Sequence, residues 1–88
     1  MYHVYLIRSL NYPDQVYIGC TENLDRRLSD HNCGTTLHTA KYVPWKLVMF
    51  LAFTDKDSAV DFEKYLKSGS GRAFAAKRLW RSHAIIVK

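Results

Sequence analysis

Two short apolar runs, "HVYLIR" at residues 3–8 and "QVYIG" at residues 15–19, stand six residues apart, and the "SLNYPD" between them holds Asn11, Pro13 and Asp14. Those three are turn formers, so the runs read as a β-hairpin. The rest of the chain alternates between helical and strand patterns. Leu24 and Leu28 sit four apart after Thr21, which predicts a helix capped by Thr21, running to about Asn32 and stopped by Gly34. Residues 34–45 form a polar loop containing Pro44. "KLVMFLAF" is apolar at every position but its first, which predicts a strand that is central or covered on both sides. Thr54 or Asp55 caps a second helix through about Lys67, with Ala59, Phe62 and Leu66 as its buried stripe. "SGSG" breaks that helix, and Arg72 to about Trp80 forms a short third one. The order is ββαβαα, an α+β arrangement in which a three-stranded antiparallel sheet is flanked by helices.

Eighty-eight residues at 48% hydrophobic content suffice for a single core, so residues 1–88 are expected to form one domain. The longest apolar run, "LVMFLAF", falls far short of the roughly 18 to 20 residues of a membrane span. The first strand pattern opens at His3 and leaves no room for a removable leader. Cys20 and Cys33 sit in unrelated contexts without metal-binding spacing, as expected of free thiols in a reducing cytoplasm.

The net charge of +5 is unevenly placed. Residues 64–88 hold seven Lys or Arg and no acid, a local charge of +7, against −2 for residues 1–63. This last third is suited to a polyanion; as charge alone, it serves equally well as a solvated face.

Both longer helices carry charge where packing would place grease. With Leu24 and Leu28 as the buried stripe, Arg26 and Asp30 point outward, Arg27 borders the stripe and His31 lies almost on it. On the second helix Glu63 follows Phe62 directly and borders the Ala59–Phe62–Leu66 stripe. A carboxylate there is costly unless it meets a cation, and Arg27 and Lys67 are the candidate partners. Tyr5 and Tyr17 sit on the two strands of the hairpin, where most tyrosines pack with a wet hydroxyl.

Taken together, "VYL", "YIG", Arg27 with His31, and Glu63 resemble the GIY-YIG nuclease superfamily. The resemblance is closer to its small stand-alone bacterial members, related to the N-terminal nuclease domain of excinuclease C. Their "YIG-x-T-x-x-L-x-R-R-L-x-x-H-N" pattern is matched by "YIGCTENLDRRLSDHN", and "PW" and "EKYLKSGSGRAFAAKRL" come after it in the same order. The likeness spans residues 3–80 and implies the GIY-YIG fold.

The resemblance implies metal-dependent hydrolysis of phosphodiester bonds in DNA or RNA. Glu63 would hold one Mg²⁺ or Mn²⁺. Arg27 would stabilise charge on the scissile phosphate. Tyr5 or Tyr17 would accept the proton of the attacking water, with positive charge, chiefly Arg27 and the metal, lowering the phenol's pKa. His31 would position the phosphate or assist proton transfer. Lys41, Lys64, Lys67, Arg72, Lys77 and Arg78 would bind the nucleic-acid backbone, and His38 and Thr39 would touch substrate from the loop. The partner expected is nucleic acid, most readily DNA, with a second protein able to supply specificity and no membrane. Two departures stand out: the glycine and isoleucine of "GIY" are His3 and Val4, and no Asn follows Asn32, where relatives carry one near the C-terminus. A binding module that keeps the fold without cleaving is the alternative.

Overall fold

The computed structural model describes residues 1–80. Strand β1 (Tyr2–Ser9) turns through a tight loop in which the Tyr12 N–H donates to Ser9 Oγ at 3.0 Å and the Gln15 N–H to the Tyr12 carbonyl at 2.8 Å. It then pairs antiparallel with β2 (Val16–Thr21), Tyr5 opposite Gly19 and Ile7 opposite Tyr17. Strand β3 (Trp45–Phe53) pairs antiparallel with the other side of β1, so the sheet order is β2-β1-β3.

This order corrects one expectation. The continuous apolar run of β3 predicted a strand central or covered on both sides, yet among the described residues β3 lies at an edge with Phe50 46% exposed, even though its Val48 and Trp45 each enter one of the two cores. The central place belongs to β1, whose Val4, Tyr5, Leu6 and Ile7 are all buried. An apolar run shows that a strand has grease to offer, whereas the hydrogen-bond partners on its two flanks decide its position.

Because successive residues of a strand point to opposite faces, β1 serves two cores. Val4 and Leu6 join Val48, Ala59, Leu66, Ala75 and Leu79, beneath helices α2 (Lys56–Lys67) and α3 (Gly69–Arg78). Tyr5 and Ile7 join Trp45, with Tyr17, Tyr42, Leu47 and, from helix α1 (Leu24–Asn32), Leu24 and Leu28 packed around them.

The caps explain where the helices begin. Helix α1 is capped by Asn23, whose side chain accepts from the Arg26 N–H at 3.1 Å, rather than by the expected Thr21. Thr21 Oγ1 instead accepts from the Asn23 N–H at 3.1 Å, steering the chain into the cap. Gly34 follows the helix with φ +77, the left-handed region glycine enters without strain. Asp55 caps α2 by accepting from the Ser58 N–H at 2.9 Å. Helix α3 starts at Gly69, three residues before the expected Arg72, because Ser68 ends one helix and caps the next: its N–H donates to the Tyr65 carbonyl and its Oγ accepts from Gly71. A Cβ at Gly71 would collide with the Tyr65 carbonyl, so this junction requires glycine.

The loop between α1 and β3 holds a single 3₁₀ turn, Ala40–Tyr42. Asn32 ties its ends together, the side-chain amide donating to the Trp45 carbonyl and accepting from the Trp45 N–H. Among the described residues no helix is long and apolar enough to cross a membrane.

Candidate active site

The site is built around the pairing of Tyr5 with Gly19. The Tyr5 phenol lies across the glycine so closely that a Cβ there would collide with Oη and Cζ. Glycine on β2 is therefore what leaves room for the ring to reach α1.

There it meets His31, which is 0% exposed. Tyr5 Oη lies 2.8 Å from His31 Nε2, and His31 Nδ1 lies 2.8 Å from Thr39 Oγ1. The Thr39 hydroxyl donates onward to the Thr36 carbonyl at 3.4 Å, which leaves its oxygen to accept from Nδ1–H. Nε2 is then the acceptor and the Tyr5 hydroxyl the donor, so the three side chains form a one-way relay. Thr39 is held in turn by its own carbonyl, which accepts from Trp45 Nε1 at 2.9 Å. Among the described residues every buried side-chain N or O has a hydrogen-bond partner.

Burial decides the protonation states. It pushes the Tyr5 phenol up to about 12, outweighing the hydrogen bond and charge of Arg27 that pull the other way. Arg27 does pull this pKa down, the direction expected of it, but among the chain's own groups burial outweighs it; removing a phenolate from water costs more than one partly exposed guanidinium returns. Burial also holds His31 below the usual imidazole range, the Arg27 charge adding to the effect, so the ring is neutral at pH 7 and able to accept a proton. Arg27 itself is held further toward its charged form, first by its contact with the Tyr5 oxygen. Its only ion-pair neighbour among the described residues is Asp30, at 4.0 Å.

Tyr17 stands beside the relay, its ring centroid 6.3 Å from Tyr5, 5.0 Å from His31 and 5.8 Å from His38. Glu63 approaches from α2, near enough that its charge acts on Tyr5 and on Cys20, whose thiol is raised first by burial and then by this carboxylate. Of the two cations considered as its partner, the structure selects Lys67: Nζ lies 3.0 Å from Glu63 Oε2 and 5.8 Å from the centroid of the Tyr17 ring.

A groove of about 470 Å³ opens beside Tyr17 and Lys67, lined also by His38, Arg72, Trp80 and the apolar Val16, Ile18 and Leu66. A second depression of about 220 Å³ shares Val16, Tyr17 and His38 and adds Lys41 and Tyr42. Lys67, Arg72 and Lys41 thus sit along one track. Lys64, Lys77 and Arg78 are exposed on the helices and line neither depression. Of the two loop residues expected at substrate, His38 lies in the groove, whereas Thr39 is 1% exposed and reaches the site only through His31.

No group of three or more His, Cys, Asp or Glu able to cage a metal occurs among the described residues. Glu63 is the carboxylate at this site that could hold a divalent ion, the rest of whose shell would be water and substrate oxygens.

The GIY-YIG catalytic domain matches residues 1–78. The chain belongs to the GIY-YIG family. The expected family, α+β fold and enzyme class, a GIY-YIG nuclease domain, agree with this match. The chain is 38% identical over 73 residues to the structure-specific endonuclease subunit SLX1 of Debaryomyces hansenii, covering 75% of this chain and 21% of that protein. It is 42% identical over 55 residues to the SLX1 homolog of Giardia intestinalis, covering 58% of this chain and 15% of the relative. The chain thus spans about a fifth or less of these curated relatives. Among solved structures, the UPF0213 protein BH0048 of Bacillus halodurans, determined by NMR, superposes with a TM-score of 0.51 at 28% identity, covering 88% of this chain and 84% of its own.

Thr39 is the member of this GIY-YIG site whose part sequence reasoning misplaced, as a substrate contact instead of the partner of His31. It carries no local signal, because its contact with His31 depends on how the intervening loop folds back.

Proposed function

We propose that this chain is a metal-dependent endonuclease domain that hydrolyses phosphodiester bonds of DNA, and that Tyr5 is its general base. The observation that carries the reading is the relay Tyr5 Oη to His31 Nε2 to Thr39, with 2.8 Å at each of its first two links. The chain's own groups push the phenol up to about 12, so Tyr5 is not taken as a standing phenolate. It acts instead as a conduit: as its oxygen takes a proton from the attacking water, its own proton passes to neutral His31 Nε2. Tyr17, which has no such acceptor behind it among the described residues, orients the water or the phosphate. Arg27 stabilises the charge that builds on the phosphate and the leaving 3′ oxygen. Glu63 would hold a Mg²⁺ or Mn²⁺ ion, which supplies Lewis-acid neutralisation of the same charge when bound. Lys67, Arg72 and Lys41 take the flanking phosphates along the groove, as phosphate contacts position a strand without reading it.

The relatives are named as subunits of structure-specific endonucleases. By analogy this domain acts on nicked or branched DNA, with specificity supplied by a second protein, in the reducing cytoplasm that suits the free thiols Cys20 and Cys33. The test is incubation with nicked, branched, single-stranded and duplex DNA and with RNA, in Mg²⁺ or Mn²⁺, beside Glu63→Gln. Cleavage of branched DNA that Glu63→Gln abolishes, with binding nearly unchanged, is the expected result. Binding of the whole panel without cleavage in either metal would replace this reading with that of a binding module.

A further inference from the structure

Lys67 stands in two places at once. Its ammonium is 3.0 Å from Glu63 Oε2, on the one carboxylate assigned to the metal, and it lines the groove assigned to the DNA strand, above the Tyr17 ring. Among the described residues it is the only Lys or Arg that pairs with Glu63. The Glu63 side chain is 22% exposed and that of Lys67 49%, so the carboxylate is the more enclosed member of the pair.

We infer that Lys67 is the counter-ion of Glu63 in the free protein and a phosphate ligand in the complex, so that metal and substrate binding are coupled through it. The inference rests on the reading of Glu63 as the metal ligand. A cation binding at Glu63 competes with the ammonium on Oε2 for the carboxylate's charge, so the pair weakens metal binding in the free protein. A phosphodiester entering the groove offers the ammonium another anion. Lys67 then leaves Glu63 for the phosphate, and the carboxylate becomes available as the substrate arrives. The four-carbon stem of lysine makes this exchange feasible, since it swings a point charge without rebuilding the helix. Linkage makes the effect reciprocal: whatever the strand does for metal affinity, the metal does for strand affinity.

The test measures Mn²⁺ binding to the full chain by electron paramagnetic resonance, with no turnover involved. Lys67→Gln should tighten Mn²⁺ binding by about twofold to fivefold, the size expected from an exposed ion pair. Lys64→Gln removes the same charge from the neighbouring residue and should change affinity by less than about 1.5-fold, since a charge out of contact is screened. Lys67→Arg should restore the parent value. Branched DNA is then added in a Tyr5→Phe background, where cleavage is expected to be slow compared with the measurement. It should tighten Mn²⁺ binding more with Lys67 than with Gln in its place. Equal effects of Lys64→Gln and Lys67→Gln, or no tightening with Lys67→Gln, would overturn the inference. Glu63→Gln separates the two readings: if it leaves Mn²⁺ binding unchanged, the metal assignment falls and the coupling with it. If it abolishes binding while Lys67→Gln changes nothing, only the coupling falls.

Discussion

The two faces of β1 are made from alternate residues of one strand, yet they carry different kinds of core. Val4 and Leu6 look into an apolar cluster sealed by Ala59, Leu66, Ala75 and Leu79. Tyr5, on the other face, looks into a core threaded by polar side chains, where His31 and Thr39 are as fully buried as any leucine. The first face gains free energy from every methylene it hides. The second forgoes part of that gain to keep a phenol and an imidazole dry, neutral and in fixed register. A polar core of this sort is tolerable only when all of its members are satisfied, as they are here among the described residues. The difference teaches where stability and chemistry reside in a chain this small: on opposite sides of the same strand.

The sharpest way to break that division is a pair of substitutions, one per face. Tyr5→Phe removes the head of the relay while keeping the ring. Cleavage should fall by about 10²- to 10⁴-fold, the range for loss of a general base, and unfolding free energy by about 1 to 3 kcal/mol, because His31 Nε2 is left buried without its partner. Leu6→Ala, at a position 0% exposed and away from the groove, should act on stability alone. It should cost about 2 to 5 kcal/mol of unfolding free energy in urea titrations and leave single-turnover cleavage unaltered at matched folding. A Tyr5→Phe protein that cleaves normally would dissolve the distinction.

A smaller effect separates neighbours on α1. Arg27→Ala should cost about 2 to 4 kcal/mol of transition-state stabilisation in single-turnover kinetics, comparable with losing a preorganised donor. Arg26, exposed on the far side of the helix, should be nearly silent. Equal losses would mean that the helix face carries no information.

The smallest effect is alkaline. Tyr5 is raised from 10.0 to about 12 in the folded chain, so the native state holds its proton where the unfolded chain has lost it. Its contribution is fully present below pH 10 and is lost as pH rises through the folded value near 12. Stability should therefore fall between those limits by at most about 3 kcal/mol, at 1.36 kcal/mol for each pKa unit, and by visibly less in Tyr5→Phe. Identical alkaline slopes would place the phenol in contact with water.

Much of this molecule is legible in its sequence. The hairpin comes from two β runs around Asn11, Pro13 and Asp14, and the element order from apolar periodicity, because both signals are local. Arg27, His31 and Glu63 stand out because each sets a polar group at or beside an apolar stripe. What the tertiary structure alone decided depends on residues far apart in the chain. It put β1 rather than β3 at the centre, since strand order follows from pairing and an apolar run does not encode its neighbours. It turned Thr39 from a loop residue into the far end of the relay, since the loop has to fold back before its hydroxyl meets His31. It chose Lys67 over Arg27 for Glu63, and it buried the Tyr5 phenol deeply enough to outweigh the pull of Arg27. The chain can specify which groups are present, but only packing sets how much water each of them loses, and that loss is what moves a proton's affinity.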